Sequence, residues 1–523
     1  MKITRLWIEE FRNLKRFLIE FNNDNPNISE LLNTTVIIGR NGSGKSNLLE
    51  AIVLIFRNLH MGIKPKFSYK INYTRYYNGK EYEIYIEANT LYKDRHRAYD
   101  FIINGKKITY KEFYKNGHVE KIFLPKNIFA YYSGKNHRLE SCFNSHESHY
   151  KKNILLGRAI PLRPLVYVKD IYSQFILLSY FGLKNNEGKD FLKDYLGIEG
   201  IDSILFKIKI PDDYDERDNS IETFYGLPIE IANYIESIYK YSLSPIYVQE
   251  SKYLYLFIKN EATWNRLVYN EFGDYRSVFK RLEAIYLFDC IKSIDIIVKT
   301  SKGIDVNFKE FSEGEQQLLV VFGILKLFEE KESLFLLDEP DTHLNPKWKL
   351  EYLKLLEEVV GKDISSQIII STHDPIMIGG LVKEQVRMIT KNENSGDIIA
   401  EQPVTDPRGM GFAGLLTSEL YGFRSSLDLY TLSLLDEKRE IVVKKGMSKD
   451  ERARLTELNN KLKDLDFANF RDDTHKLFLY AYHEISKREI LNKPILTEEE
   501  MIKRKKLAKI VLDIVNNVKE NNI

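Results

Sequence analysis

Two cysteines in 523 residues, Cys142 and Cys290, leave no disulfide framework and no paired metal-ligand spacing, which fits a reducing compartment. Neither sign of charge dominates. With 77 basic and 75 acidic residues the formal net charge is +2, so bulk charge selects no partner and a nucleic-acid surface would have to be a local patch. Long hydrophobic runs are missing too. The most apolar stretch, Leu318 to Leu325, is far shorter than a membrane span, and no membrane association is expected. The start, MKITRLWIEEFRNLKRF, is charged too early for a signal peptide, so a cytoplasmic location is expected. No heptad array long enough for a coiled-coil arm is present. A content of 43% hydrophobic and 29% charged residues is that of a folded chain with room for several cores.

What is there begins with Thr34 to Glu50, TTVIIGRNGSGKSNLLE. An apolar run, Val36 to Ile38, meets a glycine-rich turn, and a helical pattern starts at Lys45. Gly39, Gly44, Lys45 and Ser46 fill the fixed positions of the phosphate-binding loop G-x-x-x-x-G-K-[ST]. Glycines let backbone N–H groups turn inward toward an anion, and the helix adds its positive dipole end. The spacing assigns Gly39, Arg40, Asn41, Gly42, Ser43, Gly44, Lys45, Ser46 and Asn47 to nucleotide binding, with Ser46 offering its hydroxyl to Mg²⁺.

A second cluster follows far downstream in ESLFLLDEPDTHLNP. Leu334 to Leu337 reads as a buried parallel strand with Asp338 at its C-terminal end, where α/β sheets bind ligands. Asp338 is expected to hold Mg²⁺, and Glu339 beside it to polarise the attacking water. Ser312 and Gly314 open a helix with the apolar face Leu318, Leu319, Phe322 and Leu325, a second anion site. Gln367 to Ser371 is another apolar strand, after which His373 can reach the γ-phosphate.

These segments, in this order, resemble the ABC-type ATPase heads of the SMC, RecF and OLD group. The resemblance sets Phe311 to Gln316 as the signature, with Ser312, Glu313, Gly314 and Glu315 acting in trans. It sets Asp338-Glu339 as Walker B and catalytic glutamate, Pro340 to Pro346 as the D-loop, and His373 as the switch histidine. It also covers Phe11-Arg12-Asn13. Glu313 replaces a glycine usual in transporters, Asn345 replaces an aspartate, and no glutamine follows the strand at Asn127 to Tyr132 for a Q-loop; Gln174 is a distant substitute. What the resemblance implies is an ATPase using ATP and Mg²⁺ whose heads pair head to tail, as a dimer or a higher homo-oligomer.

The rest of the chain defines the architecture. Residues 1–25 read as two strands, and Lys66 to Lys107 as an antiparallel meander with hairpin turns at Asn78-Gly79 and Asn104-Gly105. Residues 135–300 are less regular: a helix around Ser173 to Gly182, a strand at Ile204 to Ile210, a helix at Tyr275 to Ile291, and a hairpin of Ile294 to Val298 with Ile304 to Phe308. The expected fold is α/β, an ABC-type P-loop head with a mixed sheet, an antiparallel meander, a helical insertion and a helical C-terminal region, without a coiled-coil arm. Expected boundaries are 1–402 for the head (lobes 1–135 and 300–402, insertion 136–299) and 403–523 for a mainly helical partner or oligomer region.

Tail and loop motifs narrow the family. Residues 376–523 show no D-x-D pair after an apolar strand, which speaks against a fused nuclease, Asp464 and Asp466 falling on a charged helix. Asp406 to Gly411, the helix after Ser448 with its capping-box Glu451 and leucines 455, 458, 462 and 465, and Tyr132 to Glu140 resemble the compact ATPases of bacterial anti-phage systems. The nearest are those of the Septu family, also found with some retrons. That resemblance implies a separately encoded HNH nuclease as partner and a switch role for the ATPase. A RecF-like DNA-binding ATPase is the alternative, and direct nucleic-acid binding stays open; a transporter subunit fits the missing Q-loop glutamine poorly.

Three other patterns have plainer readings. His137, Cys142, His146 and His149 have a zinc-like spacing but no second ligand pair, so they are read as polar loop residues. The acidic stretch Pro211 to Ser220 lacks EF-hand spacing and is read as solvated. Lys503 to Lys506 is read as an exposed helix face.

Overall fold

The computed structural model describes residues 1–21, 33–115, 121–158, 163–182, 187–210, 227–328, 332–360, 366–392, 396–444, 447–464 and 501–502. The acidic stretch at 211–220, the basic run at 503–506 and residues 465 and 466 lie outside them. The chain forms two compact units, one of residues 1–377 with 384–402, the other of 378–383 with 403–523.

The first unit is built on three sheets. The central one has seven strands in the order Ile398–Glu401, Val386–Lys391, Thr34–Ile38, Gln367–Ser371, Ser333–Asp338, Asn127–Tyr132 and Leu165–Tyr167. All neighbours are parallel except the first pair. Thr34–Ile38, Ser333–Asp338 and Gln367–Ser371 are buried at every residue, which is why they read as unbroken apolar runs without alternation.

The six-stranded sheet is antiparallel, in the order Leu14–Glu20, Lys2–Phe11, Tyr69–Tyr77, Lys80–Ala88, Tyr99–Ile103, Lys106–Ile108. Both expected hairpin turns form, with Asn78 and Gly79 at φ +48° and +78° and Asn104 and Gly105 at +49° and +74°. Two successive left-handed residues suit the strand twist of a two-residue turn. Helix Lys45–Met61 is buried from Leu48 through His60, and its side chains share one apolar core with residues of this sheet and of the seven-stranded one. A helix with nearly every side chain covered is how a P-loop is anchored from behind.

The insertion holds the expected helices, including Tyr172–Phe181 and Tyr275–Leu287, and besides them a five-stranded antiparallel sheet. Its order is Ile246–Val248, Tyr253–Ile258, Ile198–Lys209, Ile291–Thr300, Asp305–Asn307. Arg163, fully buried, ties the insertion together: it bonds Glu283 at 2.6 Å and Glu147 at 3.0 Å, while the Tyr172 hydroxyl donates to Glu283 at 2.9 Å. A buried cation is tolerable only when it is paired in this way.

The second unit contains helices Gly411–Thr417, Leu429–Val442 and Lys449–Asp464. Leu458 and Leu462 pack with Leu434 and Ile441, so the leucine stripe is the core of a helical hairpin. Ser448 and Glu451 form the expected capping box, at 2.8 Å and 3.1 Å. Among the described residues, no helix is long and apolar enough to cross a membrane.

Candidate nucleotide site

Sheet order places the loop. Thr34–Ile38 lies between Gln367–Ser371 and Val386–Lys391, and beyond Gln367–Ser371 comes Ser333–Asp338. The C-terminal ends of the three parallel strands therefore bring Gly39, Thr372 and Asp338 to one rim of the sheet. A Cβ on Gly39 would stand 2.4 Å from the Ile389 carbonyl oxygen, and one on Gly44 2.9 Å from Leu14 Cδ2. Gly42 and Gly44 have φ of +79° and +107°. The loop is thus shaped by close backbone approach and by left-handed residues, both of which exclude side chains.

Lys45 is buried and its Nζ donates to the Gly39 carbonyl at 2.7 Å. Burial pulls its pKa down, against the opposing charges of Glu339 and Asp338. Among the described residues Ser43 Oγ is buried without a hydrogen-bond partner, whereas Arg40 and Asn41 are exposed. A curled backbone, a lysine capping it and an orphaned hydroxyl fit a triphosphate. Asp338 fits a cation: it is 2% exposed, burial pushes its carboxyl up, and Ser371 and Ser46 both hydrogen-bond it.

Glu339 follows with φ +52°, a left-handed conformation costly for glutamate. Its N–H bonds the Ser371 carbonyl at 2.8 Å, and its Oε2 lies 2.7 Å from His373 Nδ1. Loop, aspartate, glutamate and histidine are thus gathered at one place.

The signature residues go elsewhere. Ser312 caps helix Glu313–Leu327, and among the described residues its side chain bonds only within its capping box with Glu315, at 2.7 Å. Glu313 pairs with His343 at 3.1 Å, and a Cβ on Gly314 would stand 2.5 Å from the His343 carbonyl oxygen. This helix start sits on the D-loop of its own chain. Asn345 ends that loop as an N-cap, accepting from Trp348 N at 2.9 Å, which is a role asparagine fills as well as aspartate. Gln174 lies in helix Tyr172–Phe181, while the residue paired in register with Asp338 is Tyr132.

Several contributors were not legible in the sequence. Asn13 Nδ2 donates to the Gly42 carbonyl at 3.0 Å and Asn47 Nδ2 to Asn13 Oδ1 at 2.6 Å. Glu50, buried behind the loop, pairs with Arg12 at 2.5 Å and Arg138 at 3.0 Å; burial raises its pKa and Arg12 opposes the rise. Arg138 also bonds Asn47. Asp341 is buried, accepts from Thr372 Oγ1 at 3.0 Å, and is pushed up to about 6 by burial and then by Glu339. The sequence signals near these were Phe11-Arg12-Asn13, the phosphate-loop stretch that holds Asn47 and Glu50, the segment Tyr132 to Glu140 and the D-loop around Asp341, none of which pointed to these pairings. The zinc-like residues stay apart in role: His137 pairs with Glu140 at 2.8 Å and His146 is buried. Among the described residues, no group of three or more His, Cys, Asp or Glu is gathered for a metal.

A strand, glycine loop and helix beside an Asp-Glu strand end, with an antiparallel sheet covering the helix, define an ABC-type P-loop ATPase head. The chain belongs to the AAA ATPase domain family, whose model matches residues 1–378. It is similar to the Septu protein PtuA of Bacillus mycoides (strain KBAB4), 27% identical over 165 residues, which are 29% of this chain and 23% of that protein. The Septu protein PtuA of Bacillus thuringiensis is 26% identical over 184 residues, 32% of this chain and 44% of that one. The matched stretch thus spans less than half the length of either relative. Among solved structures, the SMC head domain from Thermotoga maritima aligns at 15% identity with a TM-score of 0.33, covering 77% of this chain and 99% of that one. An SMC head bound to the C-terminal winged-helix domain of ScpA aligns at 13% identity with a TM-score of 0.33, covering 77% and 98%.

Proposed function

We propose that this ATPase is the switch subunit of an anti-phage complex: a Mg²⁺-dependent, cytoplasmic enzyme whose ATP state controls a separately encoded HNH nuclease. In this reading ATP sits on residues 39–47, and Ser312 to Glu315 of a second copy close over it. The head would be residues 1–402, with 403–523 serving assembly.

Asp338 and Ser46 are suited to hold Mg²⁺, which when bound would neutralise phosphate charge. Lys45 supplies a buried positive charge within the loop. Glu339 Oε2 would take the proton of the attacking water, and His373, 2.7 Å away, would steady that carboxylate by charge when protonated. The helix beginning at Glu313 packs through Gly314 on His343, and among the described residues Ser312 and Glu313 bond to none of residues 39–47. That packing is the observation that carries the two-copy site. The link to a nuclease rests on the similarity to the Septu proteins.

Purification from the native operon tests the reading. Retention of an HNH protein, with ATP binding lost in Lys45→Ala, is the expected result. A protein that carries nucleic acid and no protein partner would replace it with a RecF-like reading.

A further inference from the structure

The five-stranded sheet of the insertion has one face turned into its core and, among the described residues, the other face partly exposed. Ile204, Phe206, Ile208, Leu254, Leu256 and Ile258 alternate inward and are buried. On the other face, cross-strand register lines up Val248, Tyr253 and Lys209 in one row, and Ile246, Tyr255 and Lys207 in the next. Phe257 and Leu205 form a third row. Ile246 is 57% exposed, Lys209 is exposed, and the tyrosines, Phe257 and Lys207 are half-buried.

An open antiparallel face is ordinarily polar. This one carries an aromatic at every second residue of one strand, about 6.8 Å apart. Lys207 Nζ lies 4.2 Å from the Tyr253 ring centroid and 5.6 Å from that of Tyr255. Among the described residues neither Lys207 nor Lys209 pairs with a carboxylate; the nearby Asp295 is taken by Lys309 at 2.6 Å. Among the described residues the patch is therefore apolar and aromatic, with positive charge at its centre that no carboxylate pairs.

We propose that this face binds single-stranded nucleic acid. A protein partner suits it less, because lysine is depleted from the dry centres of protein interfaces. Duplex suits it less, because paired bases are stacked on each other and cannot use the rings. An unpaired strand uses both features: its bases stack on Tyr253, Tyr255 and Phe257, and its phosphates meet Lys207 and Lys209. DNA and RNA share this chemistry. The inference does not rest on the nuclease partnership above.

The test is fluorescence anisotropy with the full chain and labelled oligo-dT, oligo-U and a mixed duplex, each about 20 nucleotides long. Both single strands, or one of them, should bind at least about tenfold more tightly than duplex, and the tighter one names the source. Tyr255→Leu should weaken that binding about fivefold or more while the melting temperature and basal ATP hydrolysis stay unchanged. Lys207→Gln, a surface change that leaves the core intact, should lower the slope of log affinity against log salt by about 0.7. Equal binding by both variants and the wild type overturns the proposal. So does equal affinity for duplex, or the release of a bound protein by Tyr255→Leu with strand binding intact.

Discussion

His373 Nδ1 stands 2.7 Å from Glu339 Oε2, and Glu339 holds its place with a φ of +52° at the end of strand Ser333–Asp338. The left-handed backbone of a non-glycine residue costs roughly 1 kcal/mol. Strain kept at the residue that would accept the water's proton is the pattern of a functional constraint. Glu339→Gly should therefore raise stability by up to about 1 kcal/mol in chemical denaturation while abolishing phosphate release. Glu339→Gln should lower turnover by about 10²- to 10⁴-fold with ATP affinity retained. Wild-type turnover in either variant removes Glu339 from the mechanism. His373→Ala should slow turnover less, since the ring positions the carboxylate and does not replace it.

If the signature acts in trans, damage on two chains can be repaired by mixing. Lys45→Ala disables the loop and Ser312→Arg disables the signature. Each variant alone should be inactive. In an equal mixture, random pairing of dimers gives about a quarter of the wild-type number of intact sites. Steady-state hydrolysis of the mixture near that level is expected. No recovery, with both variants still folded, would place the whole site on one chain.

Asp341 sets a pH dependence with a defined sign. Its carboxyl titrates at about 6 in the folded chain because of burial and the Glu339 charge, against about 3.9 when unfolded. The folded state binds the proton more tightly. This contribution to stability is full below about 3.9 and is lost as pH rises through about 6, a change of about 3 kcal/mol. Asp341→Asn should remove it. The melting temperature of the variant should vary less between pH 5 and 7.5 than the wild type does, by the equivalent of roughly half that energy, since the other half of the change falls below pH 5. Parallel profiles would show that Asp341 is not the titrating group.

How much of this was legible depended on the range of the forces involved. The loop at Gly39 to Ser46 and the Asp338-Glu339 strand end announce themselves because local backbone shape dictates their residues. The hairpins at Asn78-Gly79 and Asn104-Gly105 do so for the same reason. Glu50 gave no such sign. Its neighbours in sequence are helical apolar residues, and its meaning comes from Arg12 and Arg138, which only the tertiary fold brings to it. Asp341 reads as one more D-loop residue until Thr372 is seen against it. The insertion sheet was read only in pieces. Its central strand, Ile198–Lys209, carries register shifts at Ile198/Gly200 and Ile201/Ser203 that break the alternation in its first half, whereas Ile204 to Lys209 alternates and was read as a strand.

Gly314 links the signature helix to the D-loop, and that contact can be separated from the helix cap. A methyl group at Gly314 would meet the His343 carbonyl oxygen at 2.5 Å. Backbone has to move, so Gly314→Ala should cost about 1–3 kcal/mol, more than helix propensity would return. Ser312→Ala removes a cap and creates no clash, at a cost of about 1 kcal/mol. If the helix start serves only its own chain, the larger loss of stability should go with the larger loss of hydrolysis. If it closes over a second copy, Ser312→Ala should impair hydrolysis out of proportion to its small destabilisation, because the residue that leaves is the one offered to the other site. Denaturation midpoints and phosphate-release rates of the two variants, measured side by side, decide between the two roles.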